Sequence, residues 1–443
     1  MKVFVGIDLG STTTKAVLLD EQARVLGQGL TNSRSNYDVA CAIAKTEALA
    51  AARFTLCAQA LADVDLGEDA RARLLGDLEG RFRVAQHLAQ LACLRGVMDG
   101  VVGAVERLFP GSALAAPVRA ALDRMERDAP ALFAGEGARR SQFFRDNAAS
   151  QYAAAAEALA GPSAPYEALM GVFDKSILEV ENRVLELGFD EVLGGEGDAL
   201  LAAAGLSPAQ REAAAAGLAR AAAVPLEVEN EVGTGYGRAR LPFAREQIRS
   251  EILCHGLGAS HMFPATRTVL DIGGQDTKAI QVDERGIVTS FQMNDRCAAG
   301  CGRYLGYIAD EMNLGVHELG PLAQRATKHV RINSTCTVFA GAELRERLTL
   351  GQQREDILAG LHRAIILRAM SLLARSGGVV EELTFTGGVA NNPAAVAALR
   401  ELVQENYGEV TLNISPSSIY TGALGAALFA QRDLARAAEE VAC

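Results

Sequence analysis

The sequence predicts an α/β protein of two duplicated lobes, with a large all-helical insertion in the first lobe. Three observations predict it. Two glycine-turn units, Asp8-Leu-Gly-Ser-Thr-Thr-Thr-Lys15 and Asp271-Ile-Gly-Gly-Gln-Asp-Thr-Lys278, share Asp, an aliphatic residue, Gly, Thr and Lys in one register. Each is flanked by short apolar runs of strand character, so the pair reads as an internal duplication. Between them, from Tyr37-Asp38 to about Val224, the chain turns Ala-, Leu- and Arg-rich with helical periodicity.

In order, strands are expected over Lys2 to Ile7, Ala16 to Asp20 and Arg24 to Leu30. The insertion breaks at Phe109-Pro110-Gly111, Gly161-Pro162 and Ser207-Pro208, with further turn signals at Gly135 and Gly194-Gly195. It reads as a bundle of several helices offering a partner surface, and its Cys41, Cys57 and Cys93 read as small buried hydrophobes. A strand from Leu226 to Val232 ends in Gly233-Thr-Gly-Tyr-Gly-Arg238, read as a plain loop, and a helix follows over Phe243 to His261. Strands Thr268 to Leu270, Ala279 to Val282 and Ile287 to Phe291 frame the second glycine turn. Strand Glu382 to Thr386 leads through Gly387-Gly388-Val-Ala-Asn-Asn-Pro393 into a helix over Ala394 to Glu405. Val410 to Ile414 is a further strand, and Gly422-Ala-Leu-Gly425 opens a last apolar helix. The lobes are therefore placed at residues 1–37 with 225–268, and at 269–443, around the insertion at 38–224. The last helix is free to pack back on the first lobe.

The chain has 443 residues, enough for two or three domains with ample core. Its net charge of −11 and lack of any basic block argue against a nucleic-acid partner. No signal pattern opens the sequence, because Asp8 interrupts its first apolar run, and no membrane-spanning apolar stretch is expected. A cytoplasmic location follows. In that compartment the eight cysteines are free thiols or metal ligands. The six histidines have no zinc spacing.

A glycine turn between two strands is neither a Walker loop nor a dinucleotide fingerprint, since both of those run from strand into helix. Its amides can still form a concave nest for phosphate. In the first turn Gly10, Ser11, Thr12 and Thr13 would serve that end, and in the second Gly273 and Gly274, with Lys15 and Lys278 as positive charge. Lys278 reads equally as a solvated strand residue. Strand-end Asp8 and Asp271 suit magnesium (Mg), which takes one or two carboxylates with waters and phosphate oxygens. Either copy alone could be an ordinary hairpin turn; two matched copies favour a clamp on a nucleoside triphosphate. Cys297 and Cys336 each sit at the start of a predicted helix, where amides and the dipole lower a thiol's pKa. Such thiolates suit an iron–sulfur cluster, which needs four ligands. Cys301, one helical turn beyond Cys297, could reach the same site or pack against its helix.

The two turns and the later Gly387-Gly388 element resemble the nucleotide-binding fold shared by actin, sugar kinases and heat-shock chaperones. There, duplicated lobes close on ATP and the late Gly-Gly turn touches the adenosine. Five stretches carry a narrower resemblance: Asp271 to Lys278, Asn294-Asp-Arg-Cys297-Ala-Ala-Gly, Ser334-Thr-Cys336-Thr-Val-Phe-Ala340, Thr386-Gly-Gly-Val-Ala-Asn391 and Gly422-Ala-Leu-Gly-Ala426. They resemble the ATP-dependent activators of 2-hydroxyacyl-coenzyme A dehydratases and the ATPase subunits of class I benzoyl-coenzyme A reductases. The resemblance implies ATP, Mg and one 4Fe–4S cluster shared across a dimer interface, with two cysteines per subunit matching Cys297 and Cys336. It implies catalytic work for Asp8, Asp271, Lys15 and Gln275, magnesium on Asp8 and Asp271, and nucleotide contacts from both turns and from Gly387, Gly388 and Asn391. The long insertion and Cys301, where activators commonly carry Thr, are similar to the larger ATPase subunit of benzoyl-coenzyme A reductase. That likeness implies a smaller homologous ATPase subunit, catalytic reductase subunits and a low-potential ferredoxin donor as partners. The expected function is ATP-driven electron transfer in such a reductase. An activator of a 2-hydroxyacyl-coenzyme A dehydratase is the first alternative, an actin-like or chaperone-type ATPase without metal the second, and a sugar kinase the third.

Overall fold

The computed structural model describes every residue except 34–35, 135–142, 186, 238–240, 296, 298–299, 329, 333–336 and 443. Side chains at 190–191, 193–196, 198, 337–338 and 437–442 are also left undescribed. The chain divides into two compact units, one holding residues 34–226 with Met1, the other residues 2–33 and 227–443.

The second of these contains two sheets of the same plan. In the first sheet β1 (Lys2–Leu9), β2 (Thr13–Leu19) and β3 (Val25–Asn32) are antiparallel neighbours, and β4 (Glu227–Thr234) joins β1 in parallel. The order is β3-β2-β1-β4. The other unit, residues 34–226, lies between β3 and β4 in the sequence. It is all helical among the described residues: α1 (Tyr37–Ala62), α2 (Glu68–Leu108), α3 (Ala115–Leu132), α4 (Phe144–Leu159), α5 (Tyr166–Glu181), α6 (Phe189–Ala203) and α7 (Pro208–Ala223). After β4 comes α8 (Glu251–Met262). In the second sheet β5 (Thr266–Ile272), β6 (Thr277–Val282) and β7 (Val288–Asn294) repeat the antiparallel trio. Helices α9 (Gly302–Met312), α10 (Val316–Ala323), α11 (Thr337–Thr349) and α12 (Arg354–Ser376) follow. Strand β8 (Glu382–Thr386) then pairs parallel to β5, α13 (Pro393–Tyr407) returns, and β9 (Leu412–Asn413) pairs with β8. The order β7-β6-β5-β8-β9 matches the first sheet with one strand added. This is the duplicated actin, sugar-kinase and chaperone-like ATPase fold, with a large helical insertion.

The register makes the duplication literal. Asp8 pairs with Lys15 across β1 and β2, as Asp271 pairs with Lys278 across β5 and β6. In the parallel direction Asp8 faces Thr234 and Asp271 faces Thr386. The last helix, α14 (Thr421–Ala442), buries Ala423, Leu424, Ala426, Ala427 and Leu428 against Phe4 and Val17 of the first sheet and Cys254 and Leu257 of α8. Small residues let these backbones touch. A Cβ at Gly6 would run into the α14 backbone, and one at Gly425 would run into Cys254 O.

In the helical unit three expected breaks fall between helices: 109–111 after α2, 161–162 after α4, and Ser207, which caps α7 with a capping box. Gly194-Gly195 lies inside α6 instead of forming a turn, because the helical residues on either side outweigh a propensity cost of about 1 kcal/mol for each glycine. Gly135 lies outside the described residues. Buried Leu74, Leu78, Phe82, His87, Leu91, Leu94, Met98 and Val102 form one stripe along α2, spaced mostly three and four residues apart as on a core-facing helix, with one five-residue step from Phe82 to His87. Cys41 and Cys57 are buried there, with burial pushing the Cys57 thiol up to about 11, while Cys93 is half-buried.

One further expectation is corrected. The helix expected over Phe243 to His261 begins only at Glu251, because Ile248 bridges to Gly233 and Arg249 N–H donates to Gly233 O, so this backbone extends the first sheet. Helices α2 and α12 are each long and apolar enough, by length and composition, to cross a membrane. For α12 the apolar face is core: Ile357, Leu358, Leu361, Ile365, Ile366 and Leu373 are buried in the second lobe.

Candidate functional site

The two glycine turns face each other. A Cβ added to Gly274 would collide with Thr12 Oγ1, so only glycine lets the second turn approach the first this closely. In the first turn Ser33, just past β3, braces the bend: its N–H donates to Thr12 O at 2.8 Å and its Oγ donates to Gly10 O at 2.6 Å. Thr14 Oγ1 lies 3.0 Å from the same Ser33 hydroxyl. In the second turn Thr277, which matches Thr14, donates to Gly300 O. There the brace is a helix start: Gly302 N–H donates to Gly273 O at 2.8 Å, and Arg303 N–H donates to Gly274 O at 2.7 Å. The first amides of α9 thus spend their donors on the turn itself.

Behind the turns lies a buried set of charges. Lys278 Nζ stands 2.9 Å from Glu251 Oε1, 3.2 Å from Asp271 Oδ2 and 2.9 Å from Asp276 Oδ2. Only 1% of that side chain is exposed, so Lys278 is neither solvated nor free to grip a phosphate. Asp271 Oδ1 accepts from Thr386 Oγ1 at 2.9 Å. His255 Nδ1 lies 3.3 Å from the same oxygen, a charge contact poorly aligned for a hydrogen bond. Its Nε2 is 3.9 Å from Glu251 Oε1.

Burial alone would discharge these groups, and their partners reverse that for three of them. Burial pushes Asp271 up, yet His255 and Lys278 beside it hold it well below the usual carboxylate range. Burial pushes His255 and Lys278 down, and the surrounding carboxylates, Asp271 foremost, raise both. Glu251 is raised by its burial, which the nearby Lys278 only partly offsets.

Asp8 is placed differently. It too is buried, and Lys15 Nζ stands 3.7 Å from its Oδ2. Its Oδ1 has no hydrogen-bond partner among the described residues. A buried orphan carboxylate oxygen beside a glycine turn fits a hard divalent cation completed by waters and phosphate oxygens. No group of three or more His, Cys, Asp or Glu that could hold a metal occurs among the described residues.

Past each parallel strand sits a glycine in the left-handed region, Gly235 at φ +104° and Gly387 at φ +86°. A Cβ at Gly235 would meet Asp8 Oδ1 at 2.5 Å, and one at Gly387 would meet Asp271 Oδ1 at 3.0 Å. The Gly233-Thr-Gly segment read as a plain loop is therefore the first copy of the Thr386-Gly387 element. The shared Thr-Gly after each parallel strand was the signal that could have found it. Glu251 and His255 were also missed, and their spacing of four on an apolar helix was the available sign. Gly388 and Asn391 are exposed, and Gln275 is half-buried in the second bend.

The cysteines need two corrections. Helix α9 begins at Gly302, with Cys301 as its N-terminal cap, so Cys297 precedes the helix by five residues and does not lie one turn from Cys301 on a shared face. Cys301 is buried, and burial raises its thiol despite amide donors from Arg303 and Tyr304. Cys297 is half-buried, and Arg368 Nη1 of α12 points at its Sγ from 3.5 Å. A partly exposed sulfur at that place is open to a ligand. Cys336 lies outside the described residues; α11 starts at the next residue.

Similarity to known proteins agrees with this geometry. The (R)-2-hydroxyglutaryl-CoA dehydratase activating ATPase of Acidaminococcus fermentans is 45% identical over 205 residues, 46% of this chain and 76% of that protein. A benzoyl-CoA reductase subunit of Thauera aromatica is 33% identical over 217 residues, 48% of this chain and 76% of that protein. The crystal structure of the A. fermentans dehydratase component A superposes with a TM-score of 0.51 at 25% identity, covering 98% of this chain and 100% of that one. The paired turns, the matched Thr-Gly elements and a family profile spanning residues 5–430 lead to one assignment: this chain belongs to the BadF/BadG/BcrA/BcrD ATPase family.

Proposed function

We propose that this protein is the ATP-hydrolysing component that energises an electron for a partner enzyme acting on a coenzyme A thioester. The observation that carries the reading is the pair of bonds from Gly302 and Arg303 amides to Gly273 and Gly274 carbonyls. They tie the turn that would hold phosphate to the segment bearing Cys297 and Cys301. ATP would lie between the turns, its phosphates on Gly10 to Thr13 and on Gly273 and Gly274, its adenosine toward Gly387, Gly388 and Asn391. Asp8 would hold magnesium, with Lys15 and Gln275 beside the phosphates. A 4Fe–4S cluster held by Cys297 and Cys336, with two thiolates from a homologous subunit, would supply one-electron chemistry at low potential. Arg368 would stand beside Cys297, and any shift of the second turn on hydrolysis would move the start of α9. Reversing a hundredfold preference between two such positions takes about 5.5 kcal/mol.

Identity supports a dehydratase activator ahead of a benzoyl-CoA reductase component, 45% against 33%. The reductase reading stays as the second, favoured by the long helical insertion. A low-potential ferredoxin would be the donor in either case, and the cytoplasm the compartment.

The test is anoxic purification with co-purifying chains identified, followed by iron, acid-labile sulfide and ATPase assays. Iron with sulfide and nucleotide-dependent reduction of the partner is the expected result. ATPase activity in protein lacking both iron and sulfide would overturn the electron-transfer reading. Dehydration of 2-hydroxyacyl-CoA or reduction of benzoyl-CoA by the assembled complex separates the two classes.

A further inference from the structure

The duplication gives both strand-end aspartates one backbone position, yet their surroundings differ in kind. Asp271 is 1% exposed and has both oxygens engaged, Oδ1 by Thr386 and His255, Oδ2 by Lys278. Its lysine is shared with Glu251 and Asp276. Drawing Asp271 onto a metal would strip Lys278 of one partner and rearrange a buried cluster of four further charged groups, which is costly. Asp8 has an orphaned Oδ1, and its one ion pair among the described residues is a longer one, to a lysine that keeps 15% of its side chain exposed. No bond to that oxygen has to break before a cation binds.

We infer that the two copies divide the work: Asp8 alone ligates the magnesium of the nucleotide, and Asp271 is a positioning residue. Fixed by Thr386, His255 and Lys278, Asp271 holds β5 and its glycine turn in place. Lys278, Glu251 and His255 form the frame of that anchor. The inference rests on the ATPase reading and adds an asymmetry that the duplicated sequence does not suggest.

Calorimetric titration with ADP, with and without magnesium, tests it, because the ratio of the two affinities reports the metal ligand and not the fold. Wild type is expected to bind magnesium-ADP more tightly than ADP. Asp8→Asn should lower that ratio by about tenfold or more. Asp271→Asn should keep the ratio while weakening both affinities and lowering the melting temperature. Should Asp271→Asn fail to fold, Thr386→Val loosens the same carboxylate without removing it and is expected to keep the ratio. Collapse of the ratio in Asp271→Asn or Thr386→Val, or its survival in Asp8→Asn, overturns the division while leaving the ATPase reading intact. Wild-type protein that binds no nucleotide overturns the ATPase reading, and the division with it.

Discussion

In the first copy of the strand–turn–strand unit, Asp8 Oδ1 is left without a partner among the described residues, Lys15 stands 3.7 Å off, and a single serine braces the bend. In the second, Lys278 is clasped by three carboxylates, Asp271 is saturated, and two helix amides hold the bend. The backbones share a register down to the threonine that faces each aspartate. Yet Thr386 donates to Asp271, whereas Thr234 turns away and donates to Arg249 O at 3.0 Å. Duplication therefore supplies two equivalent frames, and side-chain wiring makes one an anchor and leaves the other open to a ligand.

The sharpest way to break that contrast is to remove each lysine. Lys278→Met strands three buried carboxylates and should cost about 3–5 kcal/mol of stability. Lys15→Met, at a longer and partly exposed pair, should cost less than about 1 kcal/mol. Urea denaturation midpoints read both, and equal losses would erase the distinction between anchor and open site. Next in size is turnover. Asp8→Asn should lower kcat for ATP hydrolysis about a hundredfold, near 2.7 kcal/mol of barrier, by weakening the metal; a near-normal rate would remove Asp8 from the chemistry. The threonines follow. Thr386→Val takes a hydrogen bond from a buried carboxylate and should cost about 1.5–3 kcal/mol, against about 1 kcal/mol for Thr234→Val. A larger loss at Thr234, measured by thermal melts, would reverse the assignment. The smallest effect is expected at Gly302. A Cβ there would lie 3.1 Å from Gly273 O, a tight fit partly offset by the lower chain entropy of alanine. Gly302→Ala should change stability by less than about 1 kcal/mol yet weaken nucleotide binding, while Gly306→Ala, which meets open space inside α9, should add about 0.5–1 kcal/mol of stability and leave nucleotide binding unchanged.

Much of this frame was legible beforehand. Alternating and continuous apolar runs mark the strands, and a repeated Asp-x-Gly with Lys seven residues after the Asp marks the turns, because backbone geometry constrains local sequence strongly. Lys278 was not legible as a buried residue. A lysine on a strand normally faces water, and only tertiary structure brings Glu251 of α8 and Asp276 of the turn onto it. Glu251 and His255 were hidden for the same reason: an acid and a histidine four apart on a helix look like surface decoration until the neighbouring elements are known. Cys301 was misplaced because the helix start was set too early, and helix ends are the least determined feature of a sequence.

The place of the insertion also governs how the protein is made. Strand β1 must wait for β4, across the whole of residues 34–226, before its parallel edge can form, and α14 must arrive before its face is covered. A loop that long closes slowly if it is unstructured. Helices α1 to α7 hold a local core of their own and can condense while the chain is still being synthesised, which shortens the gap that remains to be closed. Until Glu227 has left the ribosome β1 keeps an unpaired edge, and its apolar face stays open until α14 follows.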